Sequence, residues 1–167
     1  MLRSESVDYD PITVGELVAE YLDDCKIRNL SQQTTRWYGF RLKTLLGSFW
    51  DLPIAELRLD QVRGIIAALL DERAPSTVNG YTRALKVLMN YAIDSDYQIG
   101  FDPRKLRKAK EPKRIPPCFT TEQVQAILQQ PDRKVFLGVR DHTMMCLMLD
   151  VGLRLSELTG LRAILFT

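Results

Sequence analysis

The sequence predicts an all-α protein, and three observations support this fold class. Apolar residues recur at the i, i+3, i+4 spacing of amphipathic helices, and no stretch of any length alternates as a strand does. Residues that favour helix N-termini stand immediately before several of these stretches. Glycine or proline follows several of them, as is usual at helix C-termini. The first hundred residues therefore indicate a compact four-helix unit.

The first two predicted helices begin at clear capping signals. Thr13-Val-Gly-Glu16 has the form of a capping box, and the helix after it is expected to run to about Ile27. Ser31 is expected to open the second helix, which Gly47 ends. The bulky stretch 49–53 then connects it to the third helix.

The third and fourth predicted helices are placed by Asp60 and Ser76, which we expect to act as their N-caps. Helical spacing selects the apolar positions that should face the core. In the third helix these are Val62, Ile65, Ile66, Leu69 and Leu70, and in the fourth they are Val78, Tyr81, Leu85, Leu88 and Ala92.

A second unit is predicted to begin at the capping box Thr120-Thr-Glu-Gln123. The uncharged stretch 142–149 predicts a helix buried on most of its surface. Gly152 should end that helix with a positive φ, and Ser156 should cap the next one. The predicted organisation is a disordered tail (1–10), a helical domain (11–103), a basic, proline-containing linker (104–117) and a second unit (118–167) too short for a whole domain.

Composition excludes several classes of protein. The 167 residues are 46% hydrophobic, and no apolar run approaches the roughly 18 residues that a membrane span needs. Cys25, Cys118 and Cys146 are far apart, which fits neither a disulfide framework nor a zinc site. We therefore expect a cytoplasmic protein without membrane contact, metal or cofactor.

The net charge of +2 conceals a strong segregation of charge. Residues 1–103 carry −4 and residues 115–167 are neutral, whereas residues 104–114 hold seven Lys or Arg and one Glu. So compact a basic block suggests a polyanionic partner. The alternative is a solvated linker that binds nothing.

Arg154 lies on a short corner between two predicted helices. From chemistry alone it is either a surface or salt-bridged arginine or a cation directed at an anion. Its surroundings, Val151-Gly-Leu-Arg-Leu-Ser-Glu-Leu158, resemble the Thr-Gly-Leu-Arg-x-Ser-Glu-Leu box of the tyrosine recombinases, the phage integrase family. Arg140-Asp141 and Phe119-Thr-Thr-Glu-Gln-Val-Gln-Ala-Ile-Leu128 also match that family in the same order. The resemblance implies that Arg154 is the first catalytic arginine, which binds the scissile phosphate.

The first unit carries two further stretches similar to the family. They are Leu30-Ser-Gln-Gln-Thr-Thr-Arg-Trp-Tyr-Gly-Phe-Arg-Leu42 and Ser76-Thr-Val-Asn-Gly-Tyr-Thr-Arg-Ala-Leu-Lys86, the latter followed by Asp102-Pro103. The resemblance implies a SAM-like, four-helix core-binding domain, which forms half of a C-shaped clamp around DNA. It also implies that residues 118–167 are the incomplete first part of the catalytic domain.

Candidate DNA contacts follow from cations and amides at helical spacing. On the fourth helix, Asn79, Arg83 and Lys86 are predicted to share one polar stripe; Asn and Arg suit base edges and Lys suits phosphates. On the second helix the candidates are Arg36, Arg41 and Lys43. The basic block adds Arg104, Lys105, Arg107, Lys108, Lys110, Lys113 and Arg114. The alternative is that these are ordinary solvated helix faces.

Cleavage in this family, as the resemblance implies, also needs a tyrosine nucleophile, a lysine and a His-x-x-Arg pair. The six tyrosines all lie at or before position 97, and His142, the single histidine, is followed by Thr-Met-Met. We therefore expect a DNA-binding N-terminal part of a site-specific recombinase of double-stranded DNA that is inactive alone, and that self-associates through an apolar surface. The rival hypothesis is a helical protein–protein interaction module derived from such an enzyme.

Overall fold

A computed structural model describes residues 11–112 and 117–161. Within these residues the secondary structure is helical and contains no strand, which confirms the all-α class. The helices are α1 (Val14–Ile27), α2 (Gln32–Leu46), α3 (Leu59–Glu72), α4 (Pro75–Asp94), α5 (Thr121–Leu128), α6 (Phe136–Val151) and α7 (Leu155–Thr159). The chain divides into two compact units between residues 113 and 114. The predicted disordered tail, 1–10, lies outside the described residues.

The core of the first unit forms where α1, α2 and α4 pack together. α4 contributes most of it, and every position that we predicted to face inward on this helix is buried. On α3 only Val62 is fully buried, and the predicted core position Leu70 is exposed because it lies at the edge of the apolar stripe. The main buried side chains are Leu17, Val18, Tyr21, Leu42, Leu45, Leu46, Tyr81, Leu85, Leu88 and Met89.

The connector after α2 closes the N-terminal end of α1. Thr13 and Glu16 form the predicted capping box, with the Thr13 N–H donating to Glu16 Oε2 at 2.9 Å. The next two amides, of Val14 and Gly15, donate to the carbonyls of Leu52 and Trp50 at 2.9 and 2.8 Å. Amides that the helix itself leaves unpaired are thus satisfied by a segment 35 or more residues away.

The predicted N-caps of α3 and α4 are wrong by two residues. α3 begins at Leu59, because Gln61 reaches back and accepts from the Arg58 N–H at 2.8 Å; Asp60 lies in the first turn. α4 begins at Pro75, whose ring fixes the φ that a first helical residue needs, and Ala74 precedes it. Ser76 therefore lies inside the helix.

Glu20 joins α1 to α4 and to the turn that follows α4. Its carboxylate accepts one hydrogen bond from the Tyr91 hydroxyl at 2.7 Å and another from the Tyr97 hydroxyl at 2.9 Å. Loss of solvent and the bond to Glu20 raise the pKa of Tyr91 to about 12. A carboxylate with two phenol donors is well satisfied at a partly buried position.

In the second unit, α5 has the predicted capping box, with the Thr120 N–H bonded to Gln123 Oε1 at 2.9 Å. Gly152 ends α6 at φ 70°, in the left-handed region that we predicted. α7 begins at Leu155 and not after Ser156, because Glu157 accepts from the N–H of Arg154 and makes Arg154 the cap position.

Helix α6 is not buried on most of its surface, in contrast to our expectation. Gly138 is its only buried residue, and Phe136 is 81% exposed. Within the described part of this unit, α6 packs on α5 and α7, and these two short helices cover only part of its circumference. Several apolar side chains of α6 therefore remain exposed, among them Leu137, Leu149 and Val151.

Candidate nucleic-acid interface

The basic segment, residues 104–111, is attached to the first unit along its described length. Pro103–Lys105 forms a 3₁₀ turn whose N-cap, Asp102, accepts from the Arg104 N–H at 2.8 Å. Leu106 is 2% exposed and belongs to the core. Arg63 of α3 donates to the Lys105 carbonyl at 3.2 Å. The segment therefore follows the surface of the helical unit and does not hang from it as an extended connection.

Asn79 on α4 holds the far part of the basic segment. Its Oδ1 accepts from the Ala109 N–H at 2.8 Å, and its Nδ2 donates to the Ala109 carbonyl at 2.9 Å. The same Nδ2 donates to Glu111 Oε1 at 2.5 Å. Because a backbone N–H can only donate and a carbonyl can only accept, this network fixes the orientation of the amide.

The predicted exposed stripe of Asn79, Arg83 and Lys86 is wrong for Asn79. This residue is only 4% exposed, and both Nδ2 donors and its Oδ1 already have partners, so the amide is not presented to solvent. Arg83, one helical turn further along α4, is exposed, and Lys86 is half-buried. Only these two cations of the stripe remain available to a ligand.

The cations of the basic segment point outward in the described part of the chain. Arg107, Lys108 and Lys110 are exposed, and none of them forms an ion pair with a described carboxylate. Arg104 is different, because its guanidinium is paired with Asp102 at 3.0 Å and holds the pKa of that carboxyl below its usual range. Lys113 and Arg114 lie outside the described residues.

The three candidate cations of α2 have different surroundings. Arg36 and Lys43 are exposed. The guanidinium of Arg41 instead lies against two rings, 4.4 Å from the centroid of Trp37 and 5.0 Å from that of Tyr81. Its Nε is buried and has no hydrogen-bond partner among the described residues. Arg41 is thus a packed side chain that spans α2 and α4.

The aromatic partners of Arg41 were not predicted from the sequence. Trp37 and Arg41 stand at i and i+4, which was an available signal. Arg73, before α4, donates to the Tyr81 hydroxyl at 2.5 Å and lies 5.6 Å from its ring centroid, and no local pattern indicated this contact. Two arginines therefore share one tyrosine near the start of α4.

Arg154 lies at the cap position between α6 and α7 with its side chain 84% exposed. Its N–H donates to Glu157 Oε2 at 2.8 Å, and its guanidinium donates to Glu157 Oε1 at 3.2 Å. Glu157 holds both the backbone and the side chain of Arg154, while most of the guanidinium remains open to solvent.

His142 is half-buried on α6 and has two polar neighbours. Its Nδ1 is 3.7 Å from Cys146 Sγ, and its Nε2 is 3.5 Å from an Arg133 nitrogen. In residues 11–112 and 117–161, no group of three or more His, Cys, Asp or Glu side chains is arranged to hold a metal ion.

No helix in these two ranges has both the length and the apolar character needed to cross a bilayer.

Comparison with known proteins finds relatives among tyrosine recombinases. The chain is 30% identical to the tyrosine recombinase XerD of Pasteurella multocida over 152 residues, which are 87% of this chain and 50% of the relative. It is 28% identical to XerD of Lacticaseibacillus casei over 87% of this chain and 51% of the relative. It is 32% identical to XerC of Myxococcus xanthus over 60% of this chain and 33% of the relative.

These matches agree with the resemblance carried by the Arg154 box and the helical motifs, and they support a relationship of the chain to the tyrosine recombinase family. It spans about a third to a half of the length of the curated relatives that it matches. No family model matches the chain, and no solved structure does.

Proposed function

We propose that this chain is the DNA-binding N-terminal portion of a site-specific tyrosine recombinase, with residues 11–112 acting as a core-binding domain on double-stranded DNA. The observation that carries the proposal is the attachment of the basic segment to the helical unit. Leu106, the Arg63 bond and the Asn79 network hold a row of exposed cations against α3 and α4. A fixed row of cations suits a regular phosphate backbone better than a free tail does.

Arg83, Arg36 and Lys43 extend the proposed interface along the helices. Arg83 is the candidate for base edges, because a guanidinium on an exposed helix face can contact two acceptors of guanine together. Arg36 and Lys43 are candidates for phosphates. We do not propose that Arg41 contacts DNA directly, since its guanidinium already packs against the rings of Trp37 and Tyr81.

The role proposed for Arg154 is phosphate binding in the complete recombination site. A guanidinium stabilises the charge that develops on a phosphate during transfer to a nucleophile. Its exposure and its anchor on Glu157 support this role. Integration or recombination through a phosphotyrosine needs residues beyond Arg154, and we propose this activity for the whole recombinase. We also propose that the recombinase comes from a mobile element and acts in the cytoplasm.

A salt titration of DNA binding tests the proposal. Each neutralised phosphate contributes about −0.9 to the slope of log K against log salt concentration. The double variant Lys108→Ala/Arg107→Ala should flatten the slope by up to about two phosphates and weaken cognate and scrambled duplexes alike. The matched control is Lys26→Ala/Arg28→Ala, which removes two cations that are paired with Asp23 and Asp24 at the end of α1.

Two outcomes would contradict the proposal. If the wild-type chain binds neither duplex at low salt, it is not a DNA-binding portion. If both double variants change the slope equally, net charge and not the basic segment governs binding.

A further variant tests the role of α4. Arg83→Ala should weaken the free energy of binding by about 1–3 kcal/mol on the cognate duplex only, with little change in slope.

The second candidate function is self-association or binding of another protein through the second unit. The observation that favours it is the exposure of apolar side chains in this unit, among them Phe119, Phe136, Leu137, Val151, Leu155 and Leu161. Contiguous exposed apolar patches are often interaction sites. Sedimentation over a hundredfold range of concentration tests it: a mass that does not change from that of a monomer would count against self-association.

A further inference from the structure

The Asn79 amide is joined to a residue 30 positions later by a pair of hydrogen bonds that resembles a β-bridge. It engages both backbone groups of Ala109 and reaches Glu111 with its second donor. Such a contact fixes the direction of the backbone and not only its distance. The residues on either side of Ala109, Lys108 and Lys110, are both exposed cations.

We infer that Asn79 is a positioning residue, a clip that aligns the basic segment with α4 so that Lys108, Lys110 and Arg83 present one cationic surface to a phosphate backbone. The inference rests on the proposed function of DNA binding. Asn79 and Arg83 are one helical turn apart, so their Cβ atoms are about 5–6 Å from each other. The clip therefore holds the segment one helical turn of α4 away from Arg83.

The remaining contacts explain why a clip is needed at this position. Leu106 in the core and the Arg63 bond to Lys105 hold the first part of the segment. Beyond Leu106 the cations at 107, 108 and 110 repel one another, and like charges in a row favour an extended, mobile chain. Among the described residues, the Asn79 network is the hydrogen-bonded attachment that opposes this tendency.

Substitution of Glu111 distinguishes the hydrogen bonds of the clip from the effect of net charge. Its carboxylate accepts from Asn79 but also places a negative charge in the proposed interface. Glu111→Gln keeps an amide oxygen that can accept the same hydrogen bond and removes the charge. It should leave the clip closed and tighten binding to every duplex, whereas Asn79→Ala should open the clip without changing the net charge.

The test measures the clip and DNA binding separately on the full chain. In the absence of DNA, Asn79→Ala should speed the exchange of the Ala109 amide by about fivefold or more, since a net hydrogen bond is worth roughly that factor. Tryptic cleavage after Arg107, Lys108 or Lys110 should accelerate in parallel. With DNA, the variant should lose about one to two phosphates from the salt slope, at about 0.9 each. Asn90→Ala, an exposed asparagine on the same helix, is the matched control.

The outcomes are distinguishable. Unchanged exchange and cleavage in Asn79→Ala overturn the clip. A variant that loses affinity only for the cognate duplex, with unchanged exchange, means that Asn79 reads bases and also overturns it. Faster exchange with an unaltered salt slope shows that the attachment does not position cations, which overturns the inference while DNA binding stands. A wild-type chain that binds no DNA overturns the proposed function instead, and the exchange data then test the attachment by itself.

Discussion

The guanidinium carbon of Arg41 lies 4.4 Å from the centroid of the Trp37 ring, one helical turn away on α2. The centroid of the Tyr81 ring, on α4, lies 5.0 Å from the same carbon, so one cation contacts aromatic rings of two helices. Gly80, beside Tyr81, permits this arrangement, because a Cβ there would come within 3.0 Å of the same carbon. The absence of a side chain at position 80 thus makes room for an arginine from another helix.

The first prediction compares alanine substitutions at two helical glycines. Gly64→Ala, in α3 with nothing within 4 Å of the new Cβ, should raise the free energy of unfolding by about 0.5–1 kcal/mol because glycine weakens a helix interior. Gly80→Ala should lower it, because the methyl group displaces the Arg41 guanidinium from its stack. Urea unfolding of both variants measures the difference. An equal increase in the free energy of unfolding for both variants would show that Arg41 moves aside at no energetic cost.

The second prediction concerns Arg41 itself. Arg41→Ala should lower the free energy of unfolding by about 1–2 kcal/mol through lost packing of the side-chain stem and lost cation–π contact. Arg36→Ala, an exposed arginine of the same helix, should change it by less than about 0.5 kcal/mol. Urea unfolding without DNA isolates these effects from binding. If the two variants are equally stable, Arg41 has no structural role.

The third prediction is a loss of stability in alkali that depends on Tyr91. Its pKa is raised from 10.0 to about 12 in the folded state. A raised pKa means that the protonated phenol contributes stability that is complete below about pH 10 and is lost as the pH rises through about 12. Tyr91→Phe should therefore be less stable than wild type near neutral pH and should lose less stability across this range.

The measurement for Tyr91 is the urea midpoint as a function of pH for both proteins, because lysines that titrate in the same range contribute equally to each. Tyr97→Phe is a useful companion, since the pKa of Tyr97 is also raised by its bond to Glu20. Parallel curves for wild type and Tyr91→Phe would contradict the role of this hydrogen bond.

The fourth prediction concerns Gly152, which ends α6 at φ 70° next to Arg154. Nothing lies within 4 Å of an added Cβ, so the cost of Gly152→Ala is a backbone cost of about 1 kcal/mol. Gly152→Asn should cost less, because asparagine tolerates the left-handed region. The N–H at position 152 donates to the Met148 carbonyl, and its exchange rate reports the opening of this corner. Equal exchange rates in both variants would argue against a conformational cost.

The sequence was sufficient to predict those features that depend on neighbouring residues. The capping boxes at Thr13 and Thr120 and the left-handed Gly152 follow local rules of side-chain length and backbone freedom, and all three are present. The errors at Asp60 and Ser76 are also local. In each case a second signal, the reach of Gln61 or the fixed φ of Pro75, competed with the favoured cap residue and determined the start of the helix.

The candidate interface was less predictable because its geometry depends on contacts distant in sequence. Helical spacing placed Asn79 beside Arg83, but it carried no information on the segment 30 residues later that covers the amide. Leu106, the single large apolar residue within the basic block, was the available sign that this block packs on the helical unit. For Arg41, the same spacing marked a polar face, whereas the aromatic residues that enclose it come from two helices.

The aromatic residues described above have a practical consequence for spectroscopy. Both tryptophans, Trp37 beside Arg41 and Trp50 against Gly15, belong to the first unit, and no tyrosine occurs after position 97. Tryptophan emission therefore reports on the helical unit alone, and the second unit is optically silent apart from its phenylalanines. A Phe136→Trp substitution would add emission from the second unit, so the difference between the unfolding curves of this variant and the wild type would follow that unit.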